Sequence, residues 1–168
     1  MSKIDIYPIR HPPVSRLRGL KALAATIMSF DLQRFVDAQA PVYEAALAEL
    51  RAGRKQTHWM WFIFPQHRAL GKSPRAIRFG LESLDEARAY LDHPILGPRL
   101  CECTDAMLEA RPSLTAHDIL GSPDDLKFQS CMTTFTLTDP TDHRFTGALE
   151  RYYDVRLDEQ SVALLTGR

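Results

Sequence analysis

The sequence predicts an all-α domain, a compact irregular array of six to eight short helices around an aromatic core segment. Three observations predict it. Apolar residues recur at helical spacing in one segment after another. Proline, glycine and capping residues cut those segments to two to four turns each. No regular strand–helix alternation and no internal repeat interrupts the pattern. The 168 residues, 45% of them hydrophobic, suffice for one domain with its own core.

Residues 1–27 stand apart. They hold Pro8, Pro12 and Pro13 and five basic residues, with weak periodicity. They read as a flexible N-terminal extension, with Met28 as an alternative start. A single helical domain over 28–168 follows. Ser29 can cap a first helix carrying Leu32, Phe35 and Val36 on one face, and Pro41 interrupts or restarts it. Val42, Tyr43, Ala46, Leu47 and Leu50 form the next stripe, and Gly53 is a natural stop. Ser83 with Glu86 three residues on is a capping-box pattern ahead of Ala87 and Leu91. Pro94 and Pro98 punctuate the entry to a helix with Leu96, Leu100, Cys103 and Met107 inward, which ends before Pro112.

Gly121-Ser122-Pro123-Asp124-Asp125 is a helix start, with serine as cap, proline in the first position and two acids at the positive end of the dipole. Thr141 can cap a helix with Phe145, Leu149 and Tyr152 inward, and Asp158 a last one around Val162 and Leu165. Two segments resist assignment by period. Trp59-Met60-Trp61-Phe62-Ile63-Phe64 is apolar on every face, so it is a buried helix or a buried strand. Thr133–Thr138 alternates toward its end, which suggests a passage from helix into extended chain.

Charge and composition exclude several function classes. Lys plus Arg equals Asp plus Glu at 21 each, so no global field draws in nucleic acid or anionic lipid. No run approaches the ~20 apolar residues of a membrane span, and no secretory signal pattern opens the chain. Three cysteines with no disulfide-framework spacing read as reduced thiols, which points to the cytoplasm. Cys101 and Cys103 lie two apart, about 200° around a helix, and His93, His117 and Cys131 add no ligand spacing. No metal site and no cofactor is expected.

Chemistry concentrates around the aromatic run. Lys55, His58 and Gln66 flank Trp59 and Trp61, which is the composition of a small-molecule pocket: an apolar wall with a few polar groups. Gln66-His67-Arg68-Ala69-Leu70-Gly71-Lys72-Ser73 nearly matches a phosphate-binding loop. Glutamine stands where that loop needs glycine, and a Ser73 cap with Pro74 in the first helical position explains the same residues. Asp124, Lys127, Ser130 and Thr134 share one helical face with Asp125 beside it. Lys127 as base to a Ser130 nucleophile is one reading. An Asp124–Lys127 ion pair with backbone-bonded hydroxyls is the plainer one. Arg99 can contact an anion or serve in a salt bridge.

The run His58–Gln66 is followed in order by Leu70-Gly71-Lys72-Ser73, Glu86–Leu91, His93–Leu100, Gly121–Phe128 and Ser130-Cys131-Met132-Thr133. This series resembles the uncharacterised bacterial family DUF1810 over roughly residues 29–165. The resemblance implies a compact all-α fold and no established activity, substrate or cofactor. Some relatives carry a calpastatin label. That inhibition uses long disordered repeats, and this chain has none. The family pattern usually places serine where Cys131 stands, which argues against an essential hydroxyl there.

Two functional expectations follow. The first is a cytoplasmic domain that binds a small anionic or nucleotide-like metabolite, with or without catalysis. His58 would be acid/base, Lys55 or Lys127 the anion contact, and Trp59 or Trp61 the stacking surface. Gln66, Arg99 and Asp125 would be further contacts, with Lys127 and Ser130 the catalytic pair. It requires Lys55, His58 and Lys127 to meet in space. The second is an adaptor that presents a helical face to a protein partner.

Overall fold

The computed structural model describes residues 30–167. Ten α-helices and one 3₁₀ turn follow one another, and no strand forms among the described residues. In chain order they are α1 (Gln33–Gln39), α2 (Tyr43–Arg51), α3 (Met60–Ile63), the 3₁₀ turn (Arg68–Leu70), α4 (Pro74–Arg78), α5 (Leu84–Asp92), α6 (Leu96–Glu109), α7 (Ala116–Leu120), α8 (Asp124–Thr138), α9 (His143–Tyr153) and α10 (Glu159–Thr166). The fold class is all-α. The helix count exceeds the expected range because α3, α4 and α7 are single turns, too short to show periodicity in sequence. No described helix is long and apolar enough to cross a membrane. The N-terminal extension and the Ser29 cap fall outside the described residues, and the cap position of α1 is held by Leu32.

The two longest helices, α6 and α8, form the frame. α8 is buried along most of its length, including Phe128, Cys131, Met132 and Phe135, and it packs against α5, α7, α9 and α10. Aromatic pairs tie the frame together. Phe64 meets Phe128 edge-on at 4.8 Å, and Phe35 meets Tyr90 at 5.0 Å. Such pairs add roughly 0.5–1.5 kcal/mol each beyond area burial.

The ambiguous aromatic run is neither a long helix nor a strand. It is the one turn of α3, entered at Trp59 and left at Phe64 with φ −120° and ψ 73°. Pro65 explains the exit, since a residue before proline is pushed out of the helical region. Its carbonyls are satisfied from afar: Phe62 O accepts from Gln39 Nε2 at 2.7 Å and from the Tyr90 hydroxyl at 3.2 Å.

Several local expectations shift. α8 stays helical to Thr138, because Thr133, Thr134 and Thr138 each return their hydroxyls to the carbonyl four residues back. That removes the competition that would favour extended chain. Its cap position is Pro123, with no side-chain cap from Ser122, although Asp124 and Asp125 do fill the first turn. α9 is capped by Asp142, not Thr141, and Thr141 donates to Asp139 instead. Ser83 accepts from Glu86 N as half a capping box, but Glu86 turns its carboxylate to Glu82 N and Arg34. Asp158 caps α10 as expected, accepting from Ser161 N at 3.0 Å. Gly53 sits at φ +70°, which ends α2 where glycine was read as a stop.

Candidate binding cleft

A cavity of about 580 Å³ opens between the loop that runs from Gln66 into α4 and the N-terminal half of α8, with Gln160 of α10 and its cap Asp158 also in the lining. Four of the residues nominated from sequence line it: Trp61, Gln66, Lys127 and Ser130. Three local features build this wall. His67 is buried and its Nδ1 accepts from Ala69 N at 3.1 Å, closing the 3₁₀ turn. Backbone bonds from Arg68 N to Leu81 O and from Leu81 N to Gln66 O, both 2.9 Å, anchor the loop at its base. Ser73 then caps α4 behind Pro74.

The phosphate-loop likeness is thereby explained away. Gly71 is glycine because the chain passes Ala76 closely: an added Cβ would lie 2.2 Å from the Ala76 Cβ. The serine and proline serve the cap of a five-residue helix.

Charge at the cavity wall is arranged around Asp124. Its Oδ2 lies 2.9 Å from Lys55 Nζ and its Oδ1 lies 2.8 Å from Lys127 Nζ. Sequence spacing shows the Lys127 half of this bridge. The Lys55 half crosses from the α2–α3 loop and is invisible in sequence. That loop is held by Lys55 N donating to Ile119 O at 2.7 Å. Burial pushes the Asp124 carboxyl up, but hydrogen bonds from Lys127 and Lys55 and their charges outweigh it, and the pKa falls below the ordinary 3.8. Each lysine also lies over a tryptophan: Lys55 Nζ is 5.2 Å from the Trp59 ring and Lys127 Nζ is 5.0 Å from the Trp61 ring. Arg75 shares the Trp61 ring at 5.4 Å. Trp61 therefore supports two cations, so a flat ligand competes with them for its faces.

Lys55 and Lys127 thus meet through Asp124, and His58 does not join them. His58 is exposed and does not line the cavity. Trp59 is buried beneath it, its Nε1 donating to Glu49 at 2.8 Å, and is out of reach as a stacking surface. Arg99 lies over Tyr43 at 4.5 Å and donates to the buried Gln39 amide at 3.3 Å. Asp125 faces His117 at 3.2 Å, and its carbonyl accepts the Tyr153 hydroxyl at 2.5 Å. Neither residue lines the cleft.

The Ser130–Lys127 pair is not assembled as nucleophile and base. Ser130 Oγ lies 3.0 Å from Asp158 Oδ2 and 3.2 Å from Leu126 O, while Lys127 is held by Asp124. Asp158 also accepts from the Ser161 hydroxyl at 2.5 Å. Donors from Ser130 and Ser161 therefore converge on one oxygen, Oδ2, and the carboxylate acts as the joint between α8 and α10. Sequence reading missed Lys72, Ser73, Gln129, Asp158 and Gln160 as lining. The loop residues were visible only as a failed motif, and Asp158 only as a cap. Among the described residues no group of three or more potential ligands could hold a metal ion, and the three cysteines are free. Burial pushes the Cys103 thiol up to about 12 and raises Cys131 as well, so both are inert hydrophobes.

Fold and cleft together define a helical domain with a cation-walled hollow beside an aromatic core. The family described as Protein of unknown function (DUF1810) matches residues 29–165, and the chain belongs to it. A solved structure, the conserved hypothetical protein Rv1873 from Mycobacterium tuberculosis, is 51% identical with a TM-score of 0.80. The match covers 82% of this chain and 98% of that one. None of the curated proteins matches the chain.

Proposed function

We propose that the domain binds a small anionic metabolite in this cleft, with Lys127 as its principal contact. One observation carries the reading. Asp124 is shared by two lysines, so a single carboxylate faces two positive charges. Lys55, with 9% of its side chain exposed, is the inner partner, and Lys127, at 21%, lines the cavity. When Lys127 turns to a ligand, Asp124 keeps Lys55. The wall can give up one cation without stranding a buried charge.

Lys72 adds a second cation to the lining. Ser73, Gln66, Gln129 and Gln160 add neutral donors suited to oxygen-rich groups. The one acidic side chain in the lining, Asp158, has its Oδ2 engaged by Ser130 and Ser161. Nothing in this arrangement requires chemistry, so binding is the function put forward.

The test is a thermal-shift panel on the full chain with inorganic phosphate, sugar phosphates, nucleotides and dicarboxylates. A ligand of the folded state at a hundredfold excess over its Kd stabilises by about 2.7 kcal/mol. We expect phosphate-bearing members to raise Tm, Lys127→Met to cut the rise by roughly half, and His58→Ala to leave it unchanged. A flat panel contradicts the proposal.

A further inference from the structure

The cation-lined cavity does not end at α10. It shares Leu126, Gln129, Asp158 and Gln160 with a second, wider hollow of about 930 Å³. Beyond those shared residues the second hollow is walled by Tyr153, Leu157, Val162 and Ala163. The two hollows adjoin along those four residues and differ in their remaining lining.

The apolar end has an origin in how α10 is attached. This helix, Glu-Gln-Ser-Val-Ala-Leu-Leu-Thr, buries its serine, exposes Ala163 and Leu164, and leaves Val162 and Leu165 half-buried. Ser161 is fully buried against Asp158, whereas Leu164 is 43% exposed. An amphipathic surface helix does the reverse. Leu126, 58% exposed at the junction of the two hollows, and Leu157, 39% exposed, extend the apolar strip. Arg156 and Glu159 also line this hollow, with opposite charges, and Arg156 Nη2 lies 3.6 Å from Asp154 Oδ2.

Resting on the anion reading above, we infer that the ligand is a small amphiphile: an anionic head at Lys127 and Lys72, and a linear apolar chain laid past Leu126 along Leu157 and Val162. Charge sets the direction, because Lys72 and Lys127 line only the first hollow, while Leu157, Val162 and Ala163 line only the second, where Arg156 is paired with Asp154. A compact polar metabolite would leave the apolar half wet. A neutral lipid would leave the cation end without an anion. A single ligand class satisfies both halves.

The experiment is calorimetric titration of the full chain with n-alkyl phosphates from methyl to octyl, each below its micelle concentration. Matching alkyl carboxylates and neutral alkyl alcohols form the other two arms. Affinity should rise about twofold per methylene, half the gain expected for full burial. Whichever anionic series binds more tightly identifies the head. Lys127→Met should weaken every anionic member by a common factor of about ten. Leu126→Gln combined with Leu157→Gln, both at exposed positions, should flatten the dependence on chain length.

Anion binding that is indifferent to chain length overturns the amphiphile and leaves the anion reading standing. No binding by either anionic series overturns both. Alcohols that bind as tightly as phosphates overturn the assignment of the head. Concentration-dependent pairing of copies through α10, seen by light scattering and abolished by the double glutamine variant, together with flat chain-length dependence, assigns the groove to a second copy and overturns the inference.

Discussion

At the scale of single residues, the Lys55–Asp124–Lys127 bridge makes an asymmetric demand on stability. Asp124→Asn leaves Lys55 nearly buried without its counter-ion and should cost about 3 kcal/mol in urea unfolding. Lys127→Met keeps the Lys55–Asp124 pair and the apolar contact with Trp61, and should cost about 1 kcal/mol or less. Equal costs would show that the two lysines are equivalent. Glu49 makes a different prediction. Burial raises its carboxyl, but donors from Gln56, Thr57 and Trp59 together outweigh that and hold it below the ordinary 4.5. A depressed carboxylate gives stability that is present above 4.5 and is lost as pH falls through the lower folded value. Acid titration of unfolding should therefore show a loss below about pH 4.5 that Glu49→Gln lacks. The side chain most conspicuous in sequence, His58, has no such partner network, because residue type reveals chemistry but not which way a loop turns it.

At the scale of elements, what the sequence revealed follows from what each signal depends on. Caps that use one side chain and the next turn's amides, such as Ser73 and Asp158, are local and were readable. Caps that depend on where the chain turns were displaced by one residue, as with Asp142 in place of Thr141. α7 went unnoticed although Thr115 and Asp118 form a full capping box around it, because five residues show no period. α10 is the element whose character sequence misjudged most: its stripe of Val162 and Leu165 reads as a buried face, yet its buried contact is Ser161. The helix hangs on a polar joint. Asp158→Ala should thus cost about 1–2 kcal/mol and act locally. Amide exchange in α10 should accelerate while that in α6 and α8 stays protected. Uniform acceleration across all three would mean that α10 belongs to the cooperative core.

At the scale of the whole molecule, the all-α class and the aromatic centre were legible because many weak periodic signals agree. The cleft was legible only in part. Trp61, Gln66, Lys127 and Ser130 share its wall, and two of these, Trp61 and Gln66, belong to or flank the aromatic run. The pairing of Lys55 with Asp124 spans 69 positions of chain between the α2–α3 loop and α8, and no local pattern encodes it.

The two tryptophans offer the most direct measurement, since the chain has no others. Trp61 lines the cavity under Lys127, whereas the Trp59 indole is buried and bonded to Glu49. Their side-chain N–H resonances can be followed in one heteronuclear NMR titration with phosphate-bearing ligands. The account predicts a saturable shift of the Trp61 indole, a stationary Trp59 indole, and a midpoint raised about tenfold in Lys127→Met. A Trp61 resonance that stays fixed while ligand binds, or equal movement of both indoles, would contradict binding in this cleft.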